Sequence, residues 1–251
     1  MTETVLVVGA TGNIGVSAVK GALSAGRKVL AIVRSQSSAD KLVKHIGSSE
    51  GITFAEADVT KEDGVKSVVD RVRAGELPAF QHVWCSVGGS FVTAPLSELT
   101  PEIYHREMRI GADSGFYAYI ATIKYLFEQN HAGSTWTICT GSQVDTGLFA
   151  MLAMGQGPIV AMCKSACREC ENTNVRFNEV YLDFRVEVDE DAAAHGTTSA
   201  TEFSKIYTQL LDRDDIRSTR VSVFTTDDIV DLKFAKWASG GAEKYAWAKN
   251  L

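Results

Sequence analysis

Three glycines near the N-terminus have the spacing of a phosphate-binding turn. The segment GATGNIG places Gly9, Gly12 and Gly15 three residues apart, after the apolar run VLVV and before a helical pattern. Glycine permits a tight turn and a close backbone approach to a ligand, and the amides that begin a helix favour an anion. The motif predicts a site for the pyrophosphate of a dinucleotide. A glycine-rich turn without a ligand is the alternative.

A basic residue follows the second apolar run, KVLAIV, where the adenosine ribose of a dinucleotide would lie. A carboxylate about 20 residues beyond the glycines binds the ribose hydroxyls of NAD. This chain has Arg34 and Ser35 there instead. Because a guanidinium and a hydroxyl suit a 2′-phosphate, the sequence favours NADPH and NADP+. For Arg34 the alternative is a solvated charge at the end of a strand.

Three of the five cysteines share one face of a predicted helix. Cys163, Cys167 and Cys170 follow the spacing i, i+4 and i+7. A zinc site would need a fourth ligand, and no histidine or further cysteine neighbours them in the sequence. We therefore predict that the cysteines pack in the core, with no metal site and no disulfide scaffold.

The elements that must position these residues alternate between strands and helices. Apolar runs typical of strands buried on both faces are separated by helical patterns, which predicts an α/β fold. We expect a single Rossmann-type doubly wound parallel sheet of about seven strands, with helices on both faces. The predicted strands are VLVV, KVLAIVR, ITFAEADV, QHVWCSV, STWTICT, VRFNEVYL and RVSVF. Thr100 and Pro101 begin a long helix that extends to Gln129, and a second helix runs from about Pro158 to Cys170.

Beyond Leu182 the pattern is less regular. We expect residues 183–213 to form a substrate lid, which begins with the acidic segment DFRVEVDEDAAAHGTTSA. The segment TDDIVDLKFAKWAS predicts a closing helix capped by Thr226. No linker, repeat or low-complexity tract divides the chain, so residues 1–251 are expected to form a single domain.

Composition argues against several classes of protein. The chain has 251 residues, of which 45% are hydrophobic, enough to fold around its own core. The net charge is -6 and no basic patch stands out, so nucleic acid is not an expected partner. No leader pattern and no bilayer-spanning apolar run is present, so we expect a soluble, cytoplasmic protein without a membrane partner.

Five segments together resemble the short-chain dehydrogenase/reductase superfamily over almost the whole chain. They are GATGNIG, ADVT, CSVGG, TICTGS and the helix that carries Lys164. The glycine spacing looks like that of the atypical or extended branches. The resemblance implies NADPH or NADP+ as cofactor, with Asp58 and Val59 near the adenine, and a homo-dimer or homo-tetramer paired through the two long helices. The cofactor-binding residues that it implies are Gly9, Thr11, Gly12, Asn13, Ile14, Gly15, Arg34, Ser35, Asp58, Val59, Ser86, Val87, Gly88 and Lys164.

The resemblance also implies four catalytic positions. Family members use a tyrosine as proton donor, a lysine four residues later, a serine that orients the substrate and an asparagine that supports a proton relay. Ser142 and Lys164 match the serine and the lysine. The tyrosine position is Val160, and the asparagine position, aligned through Gly115, is Ala112. Valine donates no proton, so the usual mechanism is not expected.

A substrate that needs hydride without a proton would explain why Val160 and Ala112 replace the tyrosine and the asparagine. A ketone that receives hydride builds negative charge on oxygen, whereas an iminium is already cationic and hydride discharges it. Asp145, three residues after Ser142, would favour such a cation, and Arg109 on the long helix is the other charged catalytic candidate. The alternatives are a loop carboxylate that caps the backbone and an ordinary surface or ion-paired arginine. A fungal indole-alkaloid branch of the family is similar: it lacks the tyrosine, reduces an iminium-type intermediate with NADPH and then guides a Diels–Alder closure.

The residues after Asp145 indicate the size and polarity of the substrate. The segment TGLFAMLAMGQG is apolar and contains Phe149, Met151 and Met154. It suits a large hydrophobic substrate, or equally a partner subunit. Acidic residues around Glu187 to Asp191 would favour a cationic substrate, unless they form a solvated face.

Three hypotheses therefore compete. The first is an NADPH-dependent reductase of a C=N or similarly electron-poor bond that also templates a cyclisation. The second is a carbonyl reductase whose proton comes from Tyr181, a water or Asp145. The third is a non-catalytic NADP(H)-binding regulator; Ser142 and Lys164 weigh against it, because a sensor has less need of a substrate-facing serine.

Overall fold

An eight-stranded sheet forms the centre of this protein, of which a computed structural model describes residues 2–237. The strand order is β10-β9-β6-β5-β4-β1-β2-β3, and of these strands β10 alone is antiparallel to its neighbour. Two short strands, β7 and β8, form a separate parallel pair. The strands β1 to β10 are Thr4–Val8, Lys28–Val33, Ile52–Glu56, His82–Cys85, Thr135–Gly141, Arg176–Leu182, Val186–Glu187, Thr198–Ser199, Thr219–Val223 and Lys233–Lys236.

Helices cover both faces of the sheet. One apolar layer lies between the sheet and α3, α5 and α7, and the other lies beneath α1, α2 and α9. The helices α1 to α9 are Asn13–Ser24, Gln36–Ile46, Gly64–Arg73, Pro101–Met108, Ser114–Gln129, Gln143–Thr146, Ala150–Cys170, Asp189–His195 and Ala200–Asp212. Strand β1 is buried along its whole length. The predicted Rossmann-type doubly wound sheet is confirmed, with eight strands instead of about seven.

The extra strand comes from the segment that was predicted to be a closing helix. A 3₁₀ turn, Thr226–Ile229, is followed by β10. Thr225, not Thr226, caps this turn, in a reciprocal pair of hydrogen bonds with Asp228. In β10, Phe234 pairs with Val221 of β9, and inter-strand hydrogen bonds replace the expected helical ones. The rest of the predicted helix, beyond Trp237, lies outside the described residues.

The predicted long helix from Pro101 to Gln129 is divided by a π-helical turn. Thr100 caps its start by accepting from the Ile103 amide at 3.3 Å, as predicted. The π-helical turn, Arg109–Asp113, separates α4 from α5. At this point α7 passes very close, because a Cβ on Gly111 would lie 3.3 Å from the Gly155 Cα. Such turns inside helices often occur at functional sites.

Helix α7 begins at Ala150, earlier than the predicted start at Pro158, which lies inside it. Its inner face includes Cys163, Cys167 and Cys170, all buried and without disulfides. The prediction that these cysteines pack in the core is confirmed.

The segment predicted as a lid contains two different parts. Residues 183–199 hold the short β7–β8 pair and α8, and their movement remains a prediction. Helix α9 belongs to the core layer, because Phe203, Ile206 and Tyr207 are buried against the sheet. It packs so tightly on α1 that a Cβ on Gly21 would lie 2.7 Å from the Ser204 carbonyl oxygen. Across residues 2–237, no helix has the length and apolar character needed to cross a membrane.

Candidate active site

The glycine motif brings three backbone segments together at the carboxyl end of β1. Gly9 has a φ of +87°, and a Cβ there would lie 2.7 Å from the Ser86 carbonyl oxygen. A Cβ on Gly15 would lie 2.0 Å from the Gly9 carbonyl oxygen. Any larger residue at either position would push apart the turn, the start of α1 and the loop after β4.

The start of α1 fits a bound pyrophosphate. Gly12 caps the helix without a side-chain hydrogen bond, and no acidic residue lies in the first turn. The Ser86 hydroxyl is buried and has no hydrogen-bond partner among the described residues. Free amides, the helix dipole and an unpartnered hydroxyl form a cradle for an anion. Asn13 uses its side-chain oxygen to accept from the Val188 amide at 3.3 Å, which ties the cradle to the predicted lid.

Hydroxyl groups surround the end of β2, beside Arg34. Ser35 caps α2 by accepting from the Ser38 amide at 3.4 Å. Its hydroxyl also lies 2.9 Å from that of Ser37 and 3.2 Å from that of Ser38. The exposed Arg34, this helix start and three hydroxyls suit a phosphate monoester. Sequence reasoning found Arg34 and Ser35, and the cap geometry adds Ser37 and Ser38.

Asp58 and Val59 follow β3, next to this corner. The hydroxyl and the amide of Thr60 donate to the Asp58 carboxylate at 2.7 and 3.1 Å. These bonds, with Lys61 and Arg34 nearby, hold the pKa of Asp58 below its usual value. Val59 is buried against the sheet. Asp58 is therefore an ionised hydrogen-bond acceptor at the carboxyl ends of the strands, where Arg34 also lies.

The loop after β4 is anchored by a buried acid that sequence reasoning missed. Ser90, two residues after Gly88, donates to Glu107 of α4 through its amide at 2.9 Å and its hydroxyl at 2.8 Å. Glu107 is 2% exposed. Burial opposes ionisation, but the bonds from Ser90 keep the pKa of Glu107 below its usual value. The bonds fix the loop that carries Ser86, Val87 and Gly88.

A second polar group, Ser142, Asp145 and Tyr181, lies at the end of β5. Ser142 follows the strand and donates its amide to the Leu182 carbonyl at 2.9 Å. Asp145 lies on α6, and its carboxylate accepts from the Tyr181 hydroxyl at 2.5 Å. Burial and the bond to Asp145 raise the pKa of Tyr181, so the shared proton stays on the phenol. The structure thus presents a carboxylate beside Ser142.

The remaining predicted catalytic residues are placed less centrally. The side chain of Arg109 is exposed on the π-helical turn and makes no hydrogen bond or ion pair with the described residues. The side chain of α7 that reaches the end of β5 is Gln156, which accepts from the Gly141 amide at 2.7 Å. Lys164 lies eight residues later, about 12 Å along the helix. Its ammonium group lies 4.9 Å from the centroid of the Trp237 ring, apart from Asp145. Its implied contact with a nicotinamide ribose remains a prediction.

An apolar rim of aromatic side chains follows α6, which carries Asp145, and contacts Tyr181. Phe149, next to exposed Leu148, packs edge-on against Phe91 with ring centroids 5.1 Å apart. Phe224 packs against Tyr181 at 6.0 Å. Phe91 and Phe224 are 69% and 53% exposed, so both rings present apolar surface to the solvent.

Comparison with known proteins gives a consistent result. A family model described as short chain dehydrogenase matches residues 3–185. The short-chain dehydrogenase/reductase iacG of Pestalotiopsis fici is 48% identical over 246 residues, which cover 96% of this chain and 99% of that protein. Among solved structures, a short-chain type dehydrogenase/reductase from Mycobacterium ulcerans has a TM-score of 0.75 at 17% identity, with 88% of each chain covered. The structure of ElxO with NADP bound has a TM-score of 0.76 at 14% identity and covers 89% of this chain and 97% of that one. At these identities the two structures show a shared fold.

Proposed function

This chain belongs to the short-chain dehydrogenase family, and on that premise we propose that it is an NADPH-dependent reductase of an iminium or similarly electron-poor bond. The observation that carries the proposal is the Asp145 carboxylate, held by Tyr181 at the sheet edge that also bears the glycine cradle. Helix α7 contains no tyrosine. Such a site stabilises a cation and offers no ordinary proton donor to a ketone.

The cofactor would be held by groups that follow the carboxyl ends of β1, β2 and β4. The start of α1 and Ser86 would bind the pyrophosphate, and Arg34 with the hydroxyls of Ser35 and its neighbours would bind the 2′-phosphate. When bound, NADPH supplies a hydride. Ser142 orients the substrate, and Asp145 stabilises the cationic nitrogen before hydride transfer. The electron pair of the C=N bond moves to nitrogen, and no proton is needed.

The apolar rim defines the rest of the substrate. Phe91, Phe149 and Phe224 expose ring surface around one carboxylate, which favours a large apolar, alkaloid-type molecule with a cationic nitrogen. The proposal includes a second step, in which the same rim folds the reduced product for an intramolecular Diels–Alder cyclisation. If chemically reduced substrate gives the same products with and without the protein, that second step is wrong.

A matched pair of substrates tests the main proposal. N-methyl-3,4-dihydroisoquinolinium carries the cation, and 1-tetralone is a neutral ketone of similar shape. We expect NADPH oxidation with the first and little with the second. Asp145→Asn should lower kcat/KM for the iminium about tenfold, mainly through KM, because a carboxylate favours the cation most before its charge is lost. The Kd of NADPH should not change. An equal loss of kcat/KM and of NADPH affinity would contradict the role of Asp145, and so would an unchanged kcat/KM.

Carbonyl reduction with Tyr181 as proton donor is the second candidate. The observation that favours it is the phenol of Tyr181 bound to Asp145, three residues after Ser142, although the raised pKa of Tyr181 makes it a weak acid. Under this alternative, Tyr181→Phe abolishes ketone reduction. Under the main proposal, Tyr181→Phe lowers kcat/KM for the iminium about tenfold, because Asp145 loses the hydroxyl that holds it, but it does not abolish iminium reduction. If NADPH binds but neither substrate oxidises it, the regulator hypothesis is favoured.

The proposal also covers assembly into a homo-dimer or homo-tetramer through α5 and α7. Its support is an apolar outer surface, on which Phe116 and Ile120 of α5 and Met154 of α7 are 49%, 45% and 39% exposed. Residues at i and i+4 share one helix face, so Phe116 and Ile120 form one patch.

A further inference from the structure

Arg220 of β9 lies directly against Tyr181. Its guanidinium carbon is 4.3 Å from the centroid of the Tyr181 ring. The hydroxyl of that ring donates to Asp145. Phe224 also contacts the ring, but it is itself half exposed and restrains the ring less. Arg220 therefore lies over the ring whose hydroxyl is bound to Asp145.

Glu179 fixes the orientation of Arg220. The two residues are register partners in the pairing of β6 with β9, and Glu179 is fully buried. The Nε and Nη2 groups of Arg220 donate to the two carboxylate oxygens at 2.8 and 3.2 Å. The Thr140 hydroxyl donates to the same carboxylate at 2.6 Å. This two-point pairing holds the guanidinium plane in a single orientation.

Trp237 and Lys164 extend the stack away from the site. The guanidinium carbon of Arg220 is 3.5 Å from the centroid of the Trp237 ring, and the Lys164 ammonium group lies 4.9 Å from the same centroid. The Trp237 amide donates to the Ser218 carbonyl at 3.0 Å, which anchors the tryptophan beside the start of β9. The contacts run from α7 through β9 to the carboxylate of Asp145.

Stability alone gives a weak reason for this arrangement. Burial of an ion pair removes two charges from water, and apolar residues of similar size often stabilise a core as well or better. Glu179 is nevertheless fully buried on β6, inside the sheet, with Arg220 of the neighbouring β9 bound to it. A buried ion pair with fixed geometry is better explained by the position that it imposes on a neighbour.

We propose that the Glu179–Arg220 pair positions Tyr181 and, through it, the Asp145 carboxylate that faces the substrate. The inference rests on the proposed function, because Asp145 is the group that acts there on the cation. Arg220 and Glu179 are positioning residues that act through Tyr181. Lys164 acts at the far end of the stack, where it holds Trp237 against Arg220.

Arg220→Lys tests the proposal with little change in charge. Lysine keeps a cation beside the buried Glu179 but loses the two-point pairing and the flat stacking surface. We expect kcat/KM for N-methyl-3,4-dihydroisoquinolinium to fall about tenfold, with the Kd of NADPH unchanged. Arg213→Lys is the matched control, since Arg213 lies over Phe234 at 5.1 Å, away from Asp145. It should keep wild-type activity.

A double-mutant cycle separates positioning from general damage. In the Asp145→Asn background, Arg220→Lys should reduce kcat/KM by less than about twofold, because the group that it positions is already lost. An equal reduction in both backgrounds would overturn the proposal. If Arg220→Lys does not fold, the pair Glu179→Gln with Arg220→Gln gives the same comparison without an unpaired buried charge.

A measurement without turnover distinguishes this inference from the proposed function. Tyrosine labelled with ¹³C at Cζ reports the hydrogen bond of Tyr181, and Tyr181→Phe assigns its resonance. Arg220→Lys should move the resonance towards its position in Asp145→Asn, and Arg213→Lys should not. A resonance unmoved by Arg220→Lys overturns the positioning role even in an active enzyme. A resonance that moves as expected, in a protein that reduces nothing, supports the positioning of Asp145 and overturns the proposed function.

Discussion

Two groups of side chains lie at the carboxyl ends of the strands, one centred on a basic residue and the other on a carboxylate. Arg34 and the hydroxyls that begin α2 lie at one end of the edge, and Asp145 with Tyr181 lies near the other. The opposite charges suit a phosphorylated cofactor and a cationic substrate that lie side by side.

Arg34→Ala should weaken NADPH binding about 10- to 100-fold and leave NADH binding nearly unchanged, because a charged hydrogen bond to the 2′-phosphate is lost. Isothermal titration calorimetry with both cofactors measures the two Kd values. Arg71→Ala, at an exposed arginine of α3, is the matched control and should change neither. Equal weakening of both cofactors would show that Arg34 does not recognise the 2′-phosphate.

At the residue scale, the sequence predicted Arg34, Ser142 and Asp145 because each follows a recognisable strand. It did not predict that Tyr181 holds Asp145, since the two residues lie 36 positions apart. Gln156 and Glu107 were missed for the same reason: their partners, Gly141 and Ser90, are brought to them only by packing.

Among the elements, α5 and α7 each have a buried face and an exposed face. On the buried side, Gly155 of α7 closely approaches Gly111 of the π-helical turn, which carries Arg109 and precedes α5. The outer faces of α5 and α7 carry exposed apolar side chains. The sequence predicted both helices from their periodicity. The division of the first helix and the early start of α7 depend on contacts between helices that periodicity does not report.

Glutamate at both Phe116 and Ile120 should abolish pairing through α5, because two charges would be buried in an apolar interface. Light scattering coupled to size-exclusion chromatography should show a mass above that of one chain for the wild type and a smaller mass for this variant. Lys41→Glu adds glutamate on the exposed face of α2 and should keep the wild-type mass. A wild-type mass of one chain would exclude the interface.

For the molecule as a whole, a buried histidine links stability to pH. It lies at the amino end of β4, opposite the carboxyl ends of the strands where the candidate site lies. His82 is 1% exposed, with its ring nitrogens 3.1 Å from the Thr135 hydroxyl and 3.2 Å from the Glu3 carboxylate. Burial lowers the pKa of His82 from 6.5 to about 4, although the bond to Glu3 opposes this. Between those two pH values the unfolded chain binds more protons than the folded one. The stabilisation from neutral His82 is therefore complete above pH 6.5 and is lost as the pH falls towards 4.

Between pH 7 and pH 5, this effect should lower the free energy of unfolding by about 2 kcal/mol. Urea denaturation at the two pH values measures it. His82→Gln keeps a polar side chain without the titration, so it should lose about 2 kcal/mol less than the wild type over the same interval. His105→Gln, at an exposed position of α4, is the control and should keep the wild-type dependence. Equal pH dependence in His82→Gln and the wild type would contradict the assignment.

The sequence by itself determined the α/β class, seven strands of the large sheet and the glycine turn after β1, because these features depend on local periodicity and on spacings of a few residues. It did not determine that TDDIVDLKFAKWAS contains an edge strand, because that strand is formed by hydrogen bonds to β9 and not by a local pattern. Only the tertiary structure placed Lys164 on Trp237 and Tyr181 on Asp145. Those contacts depend on strand register and helix packing, which join side chains far apart in the sequence.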